Sequence, residues 1–327
     1  MCNPVRSLAV WAALLGVTVV LGLVGESQRV LTIAIQTFML AALASSWNIL
    51  GGFAGQISLG HAAFFGLGAI VTRELWLGGM PFVLSVVAAL VVVIVAAGVV
   101  GVPLLRFRDI YFAVGTLAMG VAVSLTIGNV RPGVSSLPVG ALREYTFAGP
   151  YFLALGVLVV TVVVSLWLRH SKLGLGMMAV RDDEQAAGAI GVSALGHKMV
   201  AFVMSGALAG LAGASFAYFS VSYYPNFPFH VVWTFEAILA VFIGGVGTIA
   251  GPVIGAAFFV VGRDTLPSGI GEFQVVMFGV LFIVVVLRLP GGIVEGAERL
   301  LDRSGLVRRG AGLSGQESAG ATDEKGV

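Results

Sequence analysis

Ser46-Trp47-Asn48-Ile49-Leu50-Gly51-Gly52-Phe53-Ala54-Gly55-Gln56-Ile57-Ser58-Leu59-Gly60-His61-Ala62-Ala63-Phe64-Phe65-Gly66 is the stretch that decides how this chain is read. One apolar run ends near Leu50 and another begins at Leu59. Across the gap lie Gly51, Gly52, Gly55 and Gly60, with the polar side chains of Gln56, Ser58 and His61. Irregular backbone at membrane depth survives only where protein or a watery cavity satisfies its N–H and C=O groups. The stretch therefore reads as a helix broken inside a membrane domain, and Gln56, Ser58 and His61 become candidates to line a translocation path. The competing reading is that the glycines allow close helix packing and His61 bonds a neighbouring carbonyl.

Working outward, 58% of the 327 residues are hydrophobic and 10% are charged, against roughly a quarter charged in soluble domains. A bilayer core about 30 Å thick takes about 20 apolar residues of helix. Apolar segments run approximately 8–24, 30–50, 59–71, 81–105, 111–127, 150–168, 199–221, 231–243, 252–261 and 273–287. They predict an all-α, polytopic membrane protein of about ten transmembrane helices. Segments 59–71, 231–243 and 252–261 are short and abut glycine clusters, as broken or re-entrant helices do. Segment 8–24 follows Arg6 without a small-x-small cleavage pattern, so it reads as a retained helix and not a signal peptide. Residues 1–303 form the membrane domain, and 304–327, rich in Gly, Ser and charge, read as a disordered cytoplasmic tail.

Lys and Arg collect in cytoplasmic loops. With the N-terminus inside, thirteen of the 18 basic residues, among them Arg169, Lys172, Arg181 and Lys198, fall on the inner side, and Arg29, Arg73, Arg131, Arg143 and Arg263 fall outside. Both termini are thus expected in the cytoplasm, with the bilayer of the cytoplasmic membrane as solvent. A net charge of +2, scattered between apolar segments, excludes a nucleic-acid partner. The single cysteine, Cys2, excludes a disulfide framework and a cysteine metal site. There is no GxxxxGK[ST], no HExxH and no paired carboxylate, so no catalytic residue, metal or cofactor is assigned to the chain. Energy from ATP would have to come from another chain.

Two further constellations carry weight. Phe242-Ile243-Gly244-Gly245-Val246-Gly247-Thr248-Ile249-Ala250-Gly251-Pro252 is a second break, readable as a hinge beside a pore or as a tight turn. Upstream, Glu236 is read as the only acid inside an assigned span, where a charge is costly unless it faces protein, water or a partner. In the loop 169–198, residues 179–191 (Ala179-Val180-Arg181-Asp182-Asp183-Glu184-Gln185-Ala186-Ala187-Gly188-Ala189-Ile190-Gly191) read as one short amphipathic helix. Val180, Ala187 and Ile190 share a face, Asp182, Asp183 and Glu184 occupy early turns favoured by the helix dipole, and Gly191 is the C-terminal stop. So small an apolar stripe is marginal in water, and docking into a partner's groove would supply what it lacks.

Residues 46–66 closely resemble the signature of branched-chain amino acid ABC permeases of the LivM type. Matches continue in order through Ile110-Tyr111-Phe112-Ala113 with Thr116-Leu117-Ala118, Ala179 to Gly191, Lys198 to Phe202 with Ser205 to Gly213, and Gly244 to Pro252 preceded by Glu236, covering about residues 30–293. The resemblance implies the ABC importer permease fold and a pore shared with a homologous second permease. It also implies two cytoplasmic ATPases that bind ATP and Mg, and an extracytoplasmic solute-binding protein. Residues 179–191 are then similar to the coupling helix, with Arg181, Asp182, Asp183, Glu184, Ala186, Ala187 and Gly191 as its contact residues. Gln56, Ser58, His61, Thr116 and Glu236 become candidates for the path, and Gly51, Gly52, Gly55, Gly60, Gly244, Gly245, Gly247, Gly251 and Pro252 become hinges. Asp109 departs from the glycine usual in the family, Gly188 from a basic residue, and Gly120 and Val121 from an acid.

The implied cargo is leucine, isoleucine or valine, while similar permeases carry urea, short amides or other amino acids. An ion-coupled secondary transporter would need more intramembrane ionisable groups than one acid and one histidine. A membrane scaffold would have no need of broken helices.

Overall fold

Helices satisfy a lipid-buried backbone from within, and they make up almost all of what the computed structural model describes, namely residue 18 and residues 27–131, 133–136, 146–265 and 292–293. In chain order, α1 (Gln28–Asn48) widens into a π turn (Ile49–Phe53), and α2 (His61–Leu77) follows an extended link. Then come α3 (Phe82–Leu104), α4 (Asp109–Val130), α5 (Ala148–His170), α6 (Lys172–Asp182) and α7 (Glu184–Ala189). The chain continues through α8 (Ala194–Phe219), α9 (Val232–Gly244) and α10 (Ala250–Thr265). A two-residue antiparallel ribbon pairs β1 (Ser135–Ser136) with β2 (Ser222–Tyr223).

Five stretches among the described residues are long and apolar enough to cross a bilayer: Gln28–Phe53, Phe82–Leu104, Asp109–Val130, Ala148–His170 and Ala194–Phe219. The molecule is a multi-pass, all-helical membrane protein. Segments 8–24 and 273–287 and the tail 304–327 lie outside the described residues.

At the centre α2 and α8 cross almost backbone to backbone. A Cβ on Gly68 would run into the backbone of Gly210, and one on Gly213 into the carbonyl of Phe65. Small residues at such a crossing replace the hydrophobic drive that lipid cannot supply. On the periphery, Val83, Val87, Val91, Val95 and Val99 of α3 form an exposed apolar stripe at four-residue spacing, as a lipid-facing helix requires.

Three expectations need correction. The segment ended at residue 71 runs on to Leu77, so Arg73 and Glu74 lie inside α2, and Glu236 is not the only acid within a membrane helix. The helix continues because tertiary partners take up its charges. Arg73 is not an outer-loop residue but is fully buried. Its Nη1 donates to the carbonyls of Ala217 and Ser220 (3.0 Å each), and its Nη2 to those of Ser135 (2.8 Å) and Val221 (3.3 Å). Glu74 is exposed and meets Arg131 at 3.4 Å. Secondly, residues 179–191 do not form one helix. Asp183 leaves helical geometry (φ −157°, ψ 109°) and its carboxylate accepts from the amides of Gln185 and Ala186, both at 2.9 Å, so it ends α6 and caps α7. Thirdly, Val180 and Ala187 are buried, whereas Ile190 is 78% exposed, because the break at Asp183 resets the helical phase.

Candidate functional site

The first break is organised by Trp47 and Asn48, the last buried side chains of α1. Trp47 lays its ring where a side chain on Gly51 would stand, and its Nε1 donates to the Ser58 carbonyl at 2.7 Å. The chain thus folds back on itself as it leaves the π turn, with the Gln56 amide donating to Leu50 O at 3.0 Å and Gly55 held at φ +69°. Only glycine adopts that conformation without strain.

Asn48 joins this break to the second one. Its Oδ1 accepts from the Gly247 amide and its Nδ2 donates to the Thr248 carbonyl, each at 2.8 Å. The two breaks pack so closely that a Cβ on Gly52 would reach within 2.8 Å of Gly247 N. Gly245 and Gly247 have φ +126° and +75°, which lets the chain reverse between α9 and α10. Gly251 follows with its amide bonded to Thr248 Oγ1 at 3.0 Å, and Pro252 sits in the first turn of α10, where a missing N–H costs nothing.

Arg181, at the end of α6, completes the cluster. Its Nη1 donates to the Gly52 carbonyl at 2.8 Å, while its Nε (3.0 Å) and Nη2 (2.8 Å) grip the Asp182 carboxylate. The aliphatic stem lies over Gly55, where a Cβ would come within 2.7 Å of Arg181 Cγ. A second tie holds the loop: Lys198 Nζ of α8 donates to Glu184 Oε2 of α7 at 2.7 Å. Ala186 is exposed, Ala187 is buried, and Gly191 at φ +87° follows the end of α7.

The remaining candidates separate into groups. Ser58 and Thr116 are brought to the mouth of α2: Thr116 Oγ1 accepts from Leu59 N at 3.0 Å, and Ser58 Oγ accepts from Gly60 N at 3.3 Å. Gly60 rests against the Thr116 carbonyl, and Ala62 N donates to Thr234 Oγ1 of α9 at 2.8 Å. Here Leu59, Gly60, Gly120, Val121, Ser124 and His230 line a cleft of about 200 Å³. His61 turns away from that cleft and is fully buried against α8. Ser205 Oγ donates to Ser46 O at 2.7 Å, so His61 Nε2 is the donor in its 2.5 Å bond to Ser205 Oγ. Gln56 is half-buried beside the first break. Glu236 belongs to a different place, a cavity between α1, α8, α9 and α10, where Arg263 Nη1 donates to its Oε1 at 3.0 Å.

Asn48, Arg263 and Gln36 escape a reading based on sequence alone. Asn48 looks like one polar residue at a helix end, and its partners lie 199 and 200 residues away. Arg263 sorts with the outer loops by charge count, yet it sits in the last turn of α10 with Glu236 and Gln36 as partners. Helical spacing from Glu236 could have suggested an ion pair, but not with which residue.

A family profile described as branched-chain amino acid transport system, permease component, matches residues 29–286. Among relatives, the high-affinity branched-chain amino acid transport system permease protein LivM of Salmonella typhimurium is 26% identical over 295 residues, covering 80% of this chain and 69% of that protein. The Escherichia coli K12 protein of the same description is 26% identical over 301 residues, covering 82% and 70%. The permease protein LivH of Salmonella typhimurium is 23% identical over 285 residues, covering 79% and 92%. No solved structure matches the chain significantly.

Proposed function

Because the chain belongs to the family of branched-chain amino acid transport permease components, we propose that it is one transmembrane subunit of an ATP-binding cassette importer for leucine, isoleucine and valine. A sister permease completes the pore, which agrees with similarity to both LivM and LivH proteins. ATP and Mg bind to two partner ATPases, and a solute-binding protein delivers cargo from outside. The permease domain extends over residues 1–303 with about ten spans and both termini in the cytoplasm, and residues 304–327 are its tail.

The observation that carries the mechanism is the bond from Arg181 Nη1 to the Gly52 carbonyl. It ties a loop of little apolar area to the π turn that follows α1. Movement of α6 and α7 by an ATPase would then be felt first at the Gly51–Gly52 break, and Asn48 would pass it to Gly247 and Thr248. Gly55, Gly60, Gly244, Gly245 and Gly251 would let the flanking helices reorient about these points, opening and closing the cleft lined by Gly60 and His230. Two discrete arrangements of such a polar junction suit alternating access better than gradual deformation.

Two measurements test the reading. Proteoliposomes holding the permease pair and ATPases, supplied with the binding protein, should accumulate labelled leucine only with ATP. Accumulation driven by an ion gradient without ATP would refute it. In a Cys2→Ser background, Tyr224→Cys, exposed beyond α8, should react with an impermeant maleimide in intact cells, and Ile190→Cys, exposed after α7, should react only after lysis. The reverse pattern overturns the topology.

A further inference from the structure

We propose that the cavity between α1, α8, α9 and α10 binds the zwitterionic head and apolar side chain of a single amino acid in transit. The inference rests on the amino-acid reading above and adds the place where this subunit holds its cargo. The cavity measures about 240 Å³, below the roughly 300–1,000 Å³ of drug-sized sites, and so suits a ligand of amino-acid size.

Its lining is divided by chemistry. On one side stand an acid, a base and an amide: Arg263 Nη1 donates to Glu236 Oε1 at 3.0 Å and its Nη2 to Gln36 Oε1 at 3.1 Å. Glu236 Oε2 accepts no hydrogen bond among the described residues, which leaves a carboxylate oxygen for an ammonium group. The guanidinium is the cationic group of the lining, and a ligand carboxylate would be drawn toward it by charge. On the other side Phe216, Phe227 and Trp233 form a triangle of rings with centroids 5.5 to 5.9 Å apart. That wall accepts a branched aliphatic side chain by simple burial.

The cavity is also placed to pass its ligand on. His230 and Val232 border both it and the cleft lined by Gly60 and Ser124. An amino acid leaving the charge pair would enter the space whose far wall is α4.

A structural ion pair is the rival explanation, and it makes an opposite prediction. Removing Glu236 alone from a pair kept only for folding would lower stability but leave the preference for leucine over its half-ligands intact. The decisive measurement is equilibrium binding of tritiated L-leucine to the full permease and ATPase complex in nanodiscs, without binding protein. 4-Methylpentanoate (leucine without its amine) and 3-methylbutylamine (leucine without its carboxylate) serve as competitors. Leucine should bind, and each half-ligand should compete about ten-fold or more weakly, as loss of one charge-assisted contact implies. Glu236→Gln should weaken leucine about ten-fold and abolish discrimination against 4-methylpentanoate. Val232→Trp, at an exposed rim position that tolerates bulk, should block binding without touching the charges. Wild-type leucine affinity in both variants, while the parent still imports leucine, overturns the site and leaves the importer reading standing. A parent complex that imports no leucine, isoleucine or valine overturns both.

Discussion

Replacing Asn48 with leucine removes a two-point clamp between the glycine breaks while keeping the size of the side chain. Both lost bonds are 2.8 Å long, and Asn48 is 2% exposed. Each bond contributes about 1 kcal/mol net, and each stranded partner adds about 1–3 kcal/mol where water cannot reach it. Gly247 and Thr248 are half-buried, so water recovers part of that penalty, and the total comes to about 2–4 kcal/mol. If the clamp exists in only one state of the cycle, that energy shifts the equilibrium about 30- to 1,000-fold toward states with the breaks apart. The assay is leucine uptake and ATP hydrolysis, measured together in proteoliposomes. Asn48→Leu should insert normally, hydrolyse ATP, and move at least about ten-fold less leucine per ATP. Thr126→Ala, which removes only an exposed bond within α4, is the control. The reasoning fails if Asn48→Leu keeps both the parental uptake per ATP and the parental melting temperature.

Gly55→Ala pays the left-handed penalty of about 1–2 kcal/mol and pushes on Arg181, whereas Gly79→Ala, at φ +95° with nothing within 4 Å of its added Cβ, incurs the strain alone. Uptake per ATP should fall for the first variant and hold for the second, and equal behaviour would count against Arg181 as the link. Glu184→Lys replaces the partner of Lys198 with a like charge. Glu184 is 45% exposed but Lys198 only 10%, so stranding the buried ammonium should lower stability by about 1–3 kcal/mol, and stimulation of hydrolysis by binding protein should be lost while the complex still assembles. Asp109, the only described non-glycine residue with positive φ (+47°), starts α4. Asp109→Val should lower thermal stability by about 1–2 kcal/mol, and Asp109→Gly should not, as differential scanning of the purified complex would show.

The long helices were legible because lipid admits few alternatives to a 20-residue apolar helix. What misled the reading was charge. Arg73 and Glu74 look like terminators, yet the carbonyls of Ser135, Ala217, Ser220 and Val221 satisfy Arg73 from 62 to 148 positions away. The loop helix was legible as a helix but not as two, since Asp183 fits an early helical turn as well as a cap, and only its backbone angles decide. The breaks themselves stood out as glycine clusters. Their contact did not, because a single asparagine with no periodic neighbour makes it.

That contact also explains why both breaks lie at one end of the bundle instead of at opposite ends, as inverted repeats would place them. Arg181 and Lys198 attach the same loop to different helices, the first to the break after α1 and the second through Glu184 to α8. A loop held at one point could only be carried along by a partner. Held at two, it converts a push into relative displacement of α1 and α8, which pack against one another in the core. The Arg181 tie reaches a carbonyl whose residue also abuts Gly247, so displacement there acts on α9 and α10 too. Breaking the Arg181 tie should therefore uncouple the glycine breaks from the ATPases. Breaking the Lys198 tie should leave the breaks attached but remove the fixed point against which they move. Uptake per ATP would fall in both, and the Asn48 and Arg181 substitutions should be strongly non-additive because they act on one junction.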